Sequence, residues 1–82
     1  MSVRDQIVSE MGTIAKEQGR HLALLHDDLA LLDSGFDSLC FAILVVRLED
    51  SLGVDPLGDV EVEDAPKTFG EFVSLYADAV AA

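Results

Sequence analysis

The stretch GFDSLCFAILVVRLED, residues 35–50, decides how the rest of the chain is read. It opens on a glycine, an aromatic residue and two small polar residues. It then runs through apolar residues with hardly a polar face until Arg47. The run predicts a helix over residues 38–52, ended by Gly53 and barred from continuing by Pro56. With roughly 100° between successive residues, Phe41, Leu44, Val45, Leu48 and Leu52 share one side and make a core stripe. Leu39, Ile43 and Val46 fall on the opposite side together with Asp50. One buried face does not need that second strip. Either the long preceding loop covers it, or it is a docking strip rimmed by Arg47, Glu49 and Asp50. A chain of 82 residues has little left over to cover both faces, which favours docking.

Upstream, Val3, Ile7, Met11 and Ile14 recur at helical spacing and predict a helix over 3–18. Ser2 is its N-cap, Asp5 three residues later resembles a capping box, and Gly19 stops it. Residues 19–36 form a long connection, pinned to the core by Leu22, Leu25, Leu29 and Leu32. Asp27 or Asp28 caps a single helical turn through Leu32, and Gly35 ends it. Downstream, Asp55, Asp59, Glu61, Glu63 and Asp64 lie in a segment without a basic residue. It reads as a solvated acidic loop with a short helix near Val62, and its spacing does not fit a calcium-binding loop. Thr68-Phe69-Gly70-Glu71 is a capping box that starts the last helix, with Phe69, Phe72, Val73, Tyr76 and Val80 on its apolar face. The expected fold is all-α. It is one domain over residues 1–82, a small four-helix bundle of three longer helices and one short helix, with a long loop between helices one and two.

Bulk properties narrow the function. The net charge of −11 repels phosphate backbones and anionic lipid, so the expectation is no nucleic-acid partner, and a basic protein partner suits the field better. No apolar run reaches 18 residues, and MSVRDQIVSEMG has neither a positive flank nor a continuous apolar segment. Neither membrane insertion nor a signal peptide is expected. Cys40 is the only cysteine, which rules out an intramolecular disulfide and fits a reducing, cytoplasmic setting. At the flank of its helix Cys40 reads as a small packed residue.

Ser38 admits three readings. It is a helix cap, with Asp37 beside it. It is a nucleophile, which would need a base from His21 or His26 and an oxyanion hole; no G-x-S-x-G turn exists here, and the chain is not expected to be an enzyme. Or it is an attachment point, where a phosphoryl group would face the free N–H groups and positive end of a helix.

The residues Leu32-Asp33-Ser34-Gly35-Phe36-Asp37-Ser38-Leu39 resemble the attachment site of acyl carrier proteins, which show Gly, any residue, Asp-Ser-Leu at the start of their second helix. The likeness covers nearly the whole chain. Arg47-Leu48-Glu49-Asp50-Ser51-Leu52-Gly53-Val54 is similar to the end of that helix, and Thr68-Phe69-Gly70-Glu71-Phe72 to the start of helix four. The resemblance implies a discrete, monomeric carrier. Ser38, flanked by Asp37 and Leu39, would bear covalent 4′-phosphopantetheine and hold an acyl group as a thioester. A phosphopantetheinyl transferase, an acyl-activating ligase or acyltransferase, and a downstream synthase or transferase would be its partners, met through Leu39, Ile43, Val46, Arg47, Glu49 and Asp50. Carriers of fatty acid synthesis often place an acidic residue where this chain has Ile43. That departure points to a specialised lipid or polyketide-like pathway. Asp37 resembles acyl more than peptidyl carriers, with aminoacyl cargo and an unmodified acidic helical interaction module as the alternatives.

Overall fold

The computed structural model describes residues 2–82, with the side chains of Asp59 and Val62 left aside. The chain folds as three α-helices: α1 (Val3–Glu17), α2 (Ser38–Leu52) and α3 (Phe69–Ala81). Single 3-10 turns at Leu31–Asp33, Pro56–Asp59 and Val62–Asp64 punctuate the connections. Among the described residues there is no strand, only an isolated antiparallel bridge between Ala30 and Thr68. The short helix expected near Val62 is therefore one 3-10 turn of three residues. Between Pro56 and Pro66 there is too little chain, crowded with like charges, to repay the nucleation of an α-helix.

Ser2 Oγ accepts the Asp5 amide at 3.1 Å and starts α1. The box expected there is only half made, because an aspartate is one methylene shorter than the glutamate that returns the bond. At the other end the helix closes one residue earlier than expected. The Gly19 amide bonds Lys16 O and the Arg20 amide bonds Ala15 O, the paired bonds of a Schellman ending. Thr68 and Glu71 complete the capping box of α3. Gly53 ends α2 at φ +74°, a left-handed backbone that favours glycine.

Helix α1 packs on both α2 and α3. The core joins Ile7, Met11, Ile14 and Ala15 to Cys40, Leu44 and Leu48 of α2 and to Phe69, Phe72 and Tyr76 of α3. Two expectations about faces need correction. The stripe of α2 that is fully buried runs through Cys40, Leu44 and Leu48, while Phe41, Val45 and Leu52 are half-buried at its edge. On α3, Val80 lies in the last turn, beyond the reach of a partner helix, and is exposed.

The long loop lies against the bundle through Leu22, Leu25, Leu29 and Leu31. Leu32, expected to pin it, is 94% exposed, because the 3-10 turn presents Leu31 inward instead. That turn follows Ala30 and has no side-chain cap. Asp27 is used differently: its carbonyl accepts the Gly70 amide and its carboxylate bonds Arg4 at 2.5 Å. Residues 29–31 and 67–69 are joined by the Leu31 amide on Lys67 O and the Phe69 amide on Leu29 O.

Tyr76 is fully buried against Phe72, ring centroids 4.9 Å apart, and its hydroxyl has no hydrogen-bond partner among the described residues. Burial, with the carboxylates of Asp55 and Glu49, pushes its pKa up from 10.0 to about 12. Removing the unpaired hydroxyl in Tyr76→Phe is expected to raise stability by about 1 kcal/mol in urea unfolding. The unfolded tyrosine ionises before the folded one, so the native chain loses stability as pH climbs from 10 toward 12. Tyr76→Phe should remove that part of the alkaline loss.

Candidate functional site

The four residues before Ser38 begin to place it. Ser34 is fully buried; its hydroxyl donates to Leu31 O at 2.6 Å and accepts the Phe36 amide at 3.3 Å. Its carbonyl takes the Ala23 amide, which ties the two ends of the loop together. Gly35 follows at φ +96° with its Cα against the His21 carbonyl; a Cβ there would stand 2.2 Å from that oxygen. Gly35 thus makes a close backbone crossing and does not close the preceding turn. Phe36 then plugs into the core, its ring edge-on to Phe41 at 5.2 Å.

Asp37 is the N-cap of α2, and Ser38 is the first residue inside the helix. Asp37 Oδ1 accepts the Cys40 amide at 2.9 Å, and its carbonyl accepts that of Phe41 at 3.1 Å. The amides of Ser38 and Leu39 have no acceptor among the described residues, as expected of a first turn. Asp37 Oδ2 is bonded by the Arg20 guanidinium, which reaches over from the end of α1. The Cys40 amide is the main reason the Asp37 carboxyl sits below the usual aspartate value of 3.8; the Cys40 thiol and the Arg20 charge act in the same direction.

Ser38 is exposed between two buried anchors, Phe36 and Cys40. Its hydroxyl is an accessible oxygen at the positive end of a helix with an arginine on the adjoining carboxylate. His21 and His26 are both exposed, and neither is hydrogen-bonded to Ser38 among the described residues. The geometry suits a tether for an anionic group better than a serine activated by a base.

The outer face of α2 continues from Ser38. Leu39 and Val46 are each 60% exposed, and Ala42 lies between them, also exposed. Glu49 and Asp50 border the strip in solvent. Two expected members are placed differently. Ile43 is half-buried against the core, and Arg47 turns toward α1, where it bonds Glu17 Oε1 at 2.6 Å. Both lie at the edge of α2 that meets α1, so the free strip is Leu39, Ala42 and Val46. Ala42 and Arg20 were not singled out from sequence. A helical wheel contains the first, whereas only the basic residue just after the helix-ending Gly19 hints at the second.

On the other side of the same helix is an apolar groove of about 500 Å³, with Phe41 and Val45 in its wall. Ser38, Phe41 and Val45 follow the i, i+3, i+7 spacing of one helical stripe. Among the described residues no group of three His, Cys, Asp or Glu is close enough to share a metal ion. No described helix is long and apolar enough to cross a membrane.

Gly35→Ala is expected to cost roughly 1–3 kcal/mol from the left-handed backbone, and more if the His21 carbonyl does not yield, read by urea unfolding. The stability that Asp37 contributes is complete well above pH 3.8 and is lost as pH falls through its depressed folded value. Asp37→Asn, still a good cap, should therefore show a shallower acid limb by circular dichroism than the parent chain. No family model matches the chain, and neither a curated protein nor a solved structure matches it.

Proposed function

We propose that the chain is a discrete acyl carrier protein in which Ser38 bears 4′-phosphopantetheine. The observation that carries this reading is the exposed hydroxyl of Ser38, held at the first turn of α2 between the buried Phe36 and Cys40. The residues fit the group. The Ser38 and Leu39 amides have no acceptor among the described residues, and the Arg20 guanidinium stands on the adjoining Asp37, near enough to meet a phosphodiester. When bound, the arm supplies a thiol that holds an acyl group as a thioester. The chain's own part is mechanical. Ser38 Oγ is the ester oxygen, Asp37 holds the helix end open by capping it, and Gly35 and Phe36 keep the turn from collapsing over it.

Leu39, Ala42 and Val46 give a phosphopantetheinyl transferase, an acyl-activating ligase or acyltransferase, and a downstream synthase or transferase a common surface. Glu49 and Asp50 meet basic residues on those partners. With Ile43 withdrawn and apolar, the centre of the strip discriminates by shape more than by charge, which suits a cytoplasmic, specialised lipid or polyketide-like pathway. In this reading the chain is a four-helix carrier bundle whose 3-10 turns over residues 56–64 replace the short helix. Asp37 favours acyl over aminoacyl cargo. The exposure of Leu39 and Val46 equally favours an unmodified acidic module that binds a partner through α2.

Intact mass after incubation with coenzyme A and a broad-specificity phosphopantetheinyl transferase separates the two. The expected result is a gain of one phosphopantetheine on the parent chain and none on Ser38→Ala. A folded parent chain that gains nothing leaves only the interaction module.

A further inference from the structure

Among the described residues, arginines make three ion pairs, and only that of Arg20 reaches a carboxylate next to an exposed serine. The backbone of Arg20 belongs to the end of α1, where its amide bonds Ala15 O at 2.8 Å. Its guanidinium crosses to the start of α2 and donates through Nη2 to Asp37 Oδ2. Arg4 and Arg47 pair with Asp27 and Glu17, and neither of those acids has a serine or threonine beside it in the chain.

A phosphodiester on Ser38 would set a second negative charge beside Asp37. That carboxylate has no freedom to turn away, because the Cys40 amide holds Oδ1 and Arg20 holds Oδ2. The guanidinium has donors to spare. It is a planar fork of N–H groups, and Asp37 is its one acceptor among the described residues. A fork can hold two anions at once where a compact ammonium acts as a point charge. Arg20 also stands next to the tightest place in the long loop. The His21 carbonyl, one residue on, lies against Gly35, and the Ala23 amide, three residues on, bonds Ser34 O at 2.9 Å. A guanidinium drawn toward Ser38 therefore pulls on the start of the loop where it crosses the end.

We propose that Arg20 bridges the Asp37 carboxylate and the phosphodiester on Ser38, and so tightens the loop crossing when the chain is loaded. This deepens the carrier reading and rests on it. Arg20 is then a positioning residue for the arm, and loaded and unloaded chains differ at the loop as well as at Ser38. The test places phosphoserine at position 38 during translation. It needs no transferase, so its result is read separately from whether the chain loads. The second ionisation of phosphoserine, ordinarily at about pH 6, is followed by phosphorus NMR. Arg20→Gln should raise it by roughly half a pH unit, as loss of an exposed ion pair allows. His21, exposed beside Arg20, is the same in every chain compared. The rise should persist when both chains also carry Asp37→Asn, which keeps the cap but removes the carboxylate. Exchange of the Ala23 amide should be about two- to fivefold slower with phosphoserine than with serine, and Arg20→Gln should abolish the difference. An ionisation unmoved by Arg20→Gln, a rise that vanishes once Asp37 is replaced, or Ala23 exchange indifferent to the phosphoryl group would each overturn the proposal.

Discussion

The crossing of Gly35 over the His21 carbonyl is the constraint from which the rest of the molecule follows. It brings the two ends of an otherwise irregular connection into contact, where the Ala23 amide reaches Ser34 O. Only a residue without a Cβ passes there, and only with a positive φ. Once it has passed, Phe36 drops into the core, Asp37 is left with the extended backbone that a cap needs, and α2 begins. A different residue at 35 would move the start of α2, and with it the exposed hydroxyl and both faces of the helix.

Helix α2 then serves three neighbours at once. Cys40, Leu44 and Leu48 bury their stripe completely. Ile43 and Arg47 form the edge against α1, where Arg47 meets Glu17. Phe41 and Val45 form the other edge and wall the groove. Leu52 is half-buried against the core, and what remains, Ser38, Leu39, Ala42, Val46, Glu49, Asp50 and Ser51, is surface. A helix with few polar residues is thus explained without a membrane and without a second core. It has a buried stripe, two half-buried edges and an apolar outer strip.

Much of this was legible in the sequence because the signals were local. The limits of α2 came from Ser38 and Gly53, the start of α3 from Thr68 and Glu71, and the core of α1 from Ile7, Met11 and Ile14. The outer strip was legible in Leu39 and Val46. The failures at α2 and the long loop that bear on the site were of orientation. The helical wheel put Phe41 near the centre of the core stripe, but the buried stripe is turned by roughly 50° so that small Cys40 lies inside. Adjacent leucines 31 and 32 are equivalent to any periodicity, and only the twist of the 3-10 turn separates them. Arg20 meets Asp37 across 17 residues, and Lys67 meets the groove through a seam between two loops; neither leaves a local pattern.

That seam has a mechanical consequence. Two backbone hydrogen bonds, which together make the bridge at Ala30 and Thr68, fasten the long loop to the entrance of α3, next to the Gly70 amide on Asp27 O. They belong to neither a sheet nor a helix, so no neighbouring ladder supports them, and their opening is a small sub-global event. One wall of the groove is on the loop and Lys67 is on the other side of the seam. Breathing of these few bonds widens the groove, displaces its only cation and frees the first amide of α3 together. The width of the groove and the exposure of the first amide of α3 are therefore coupled through these bonds.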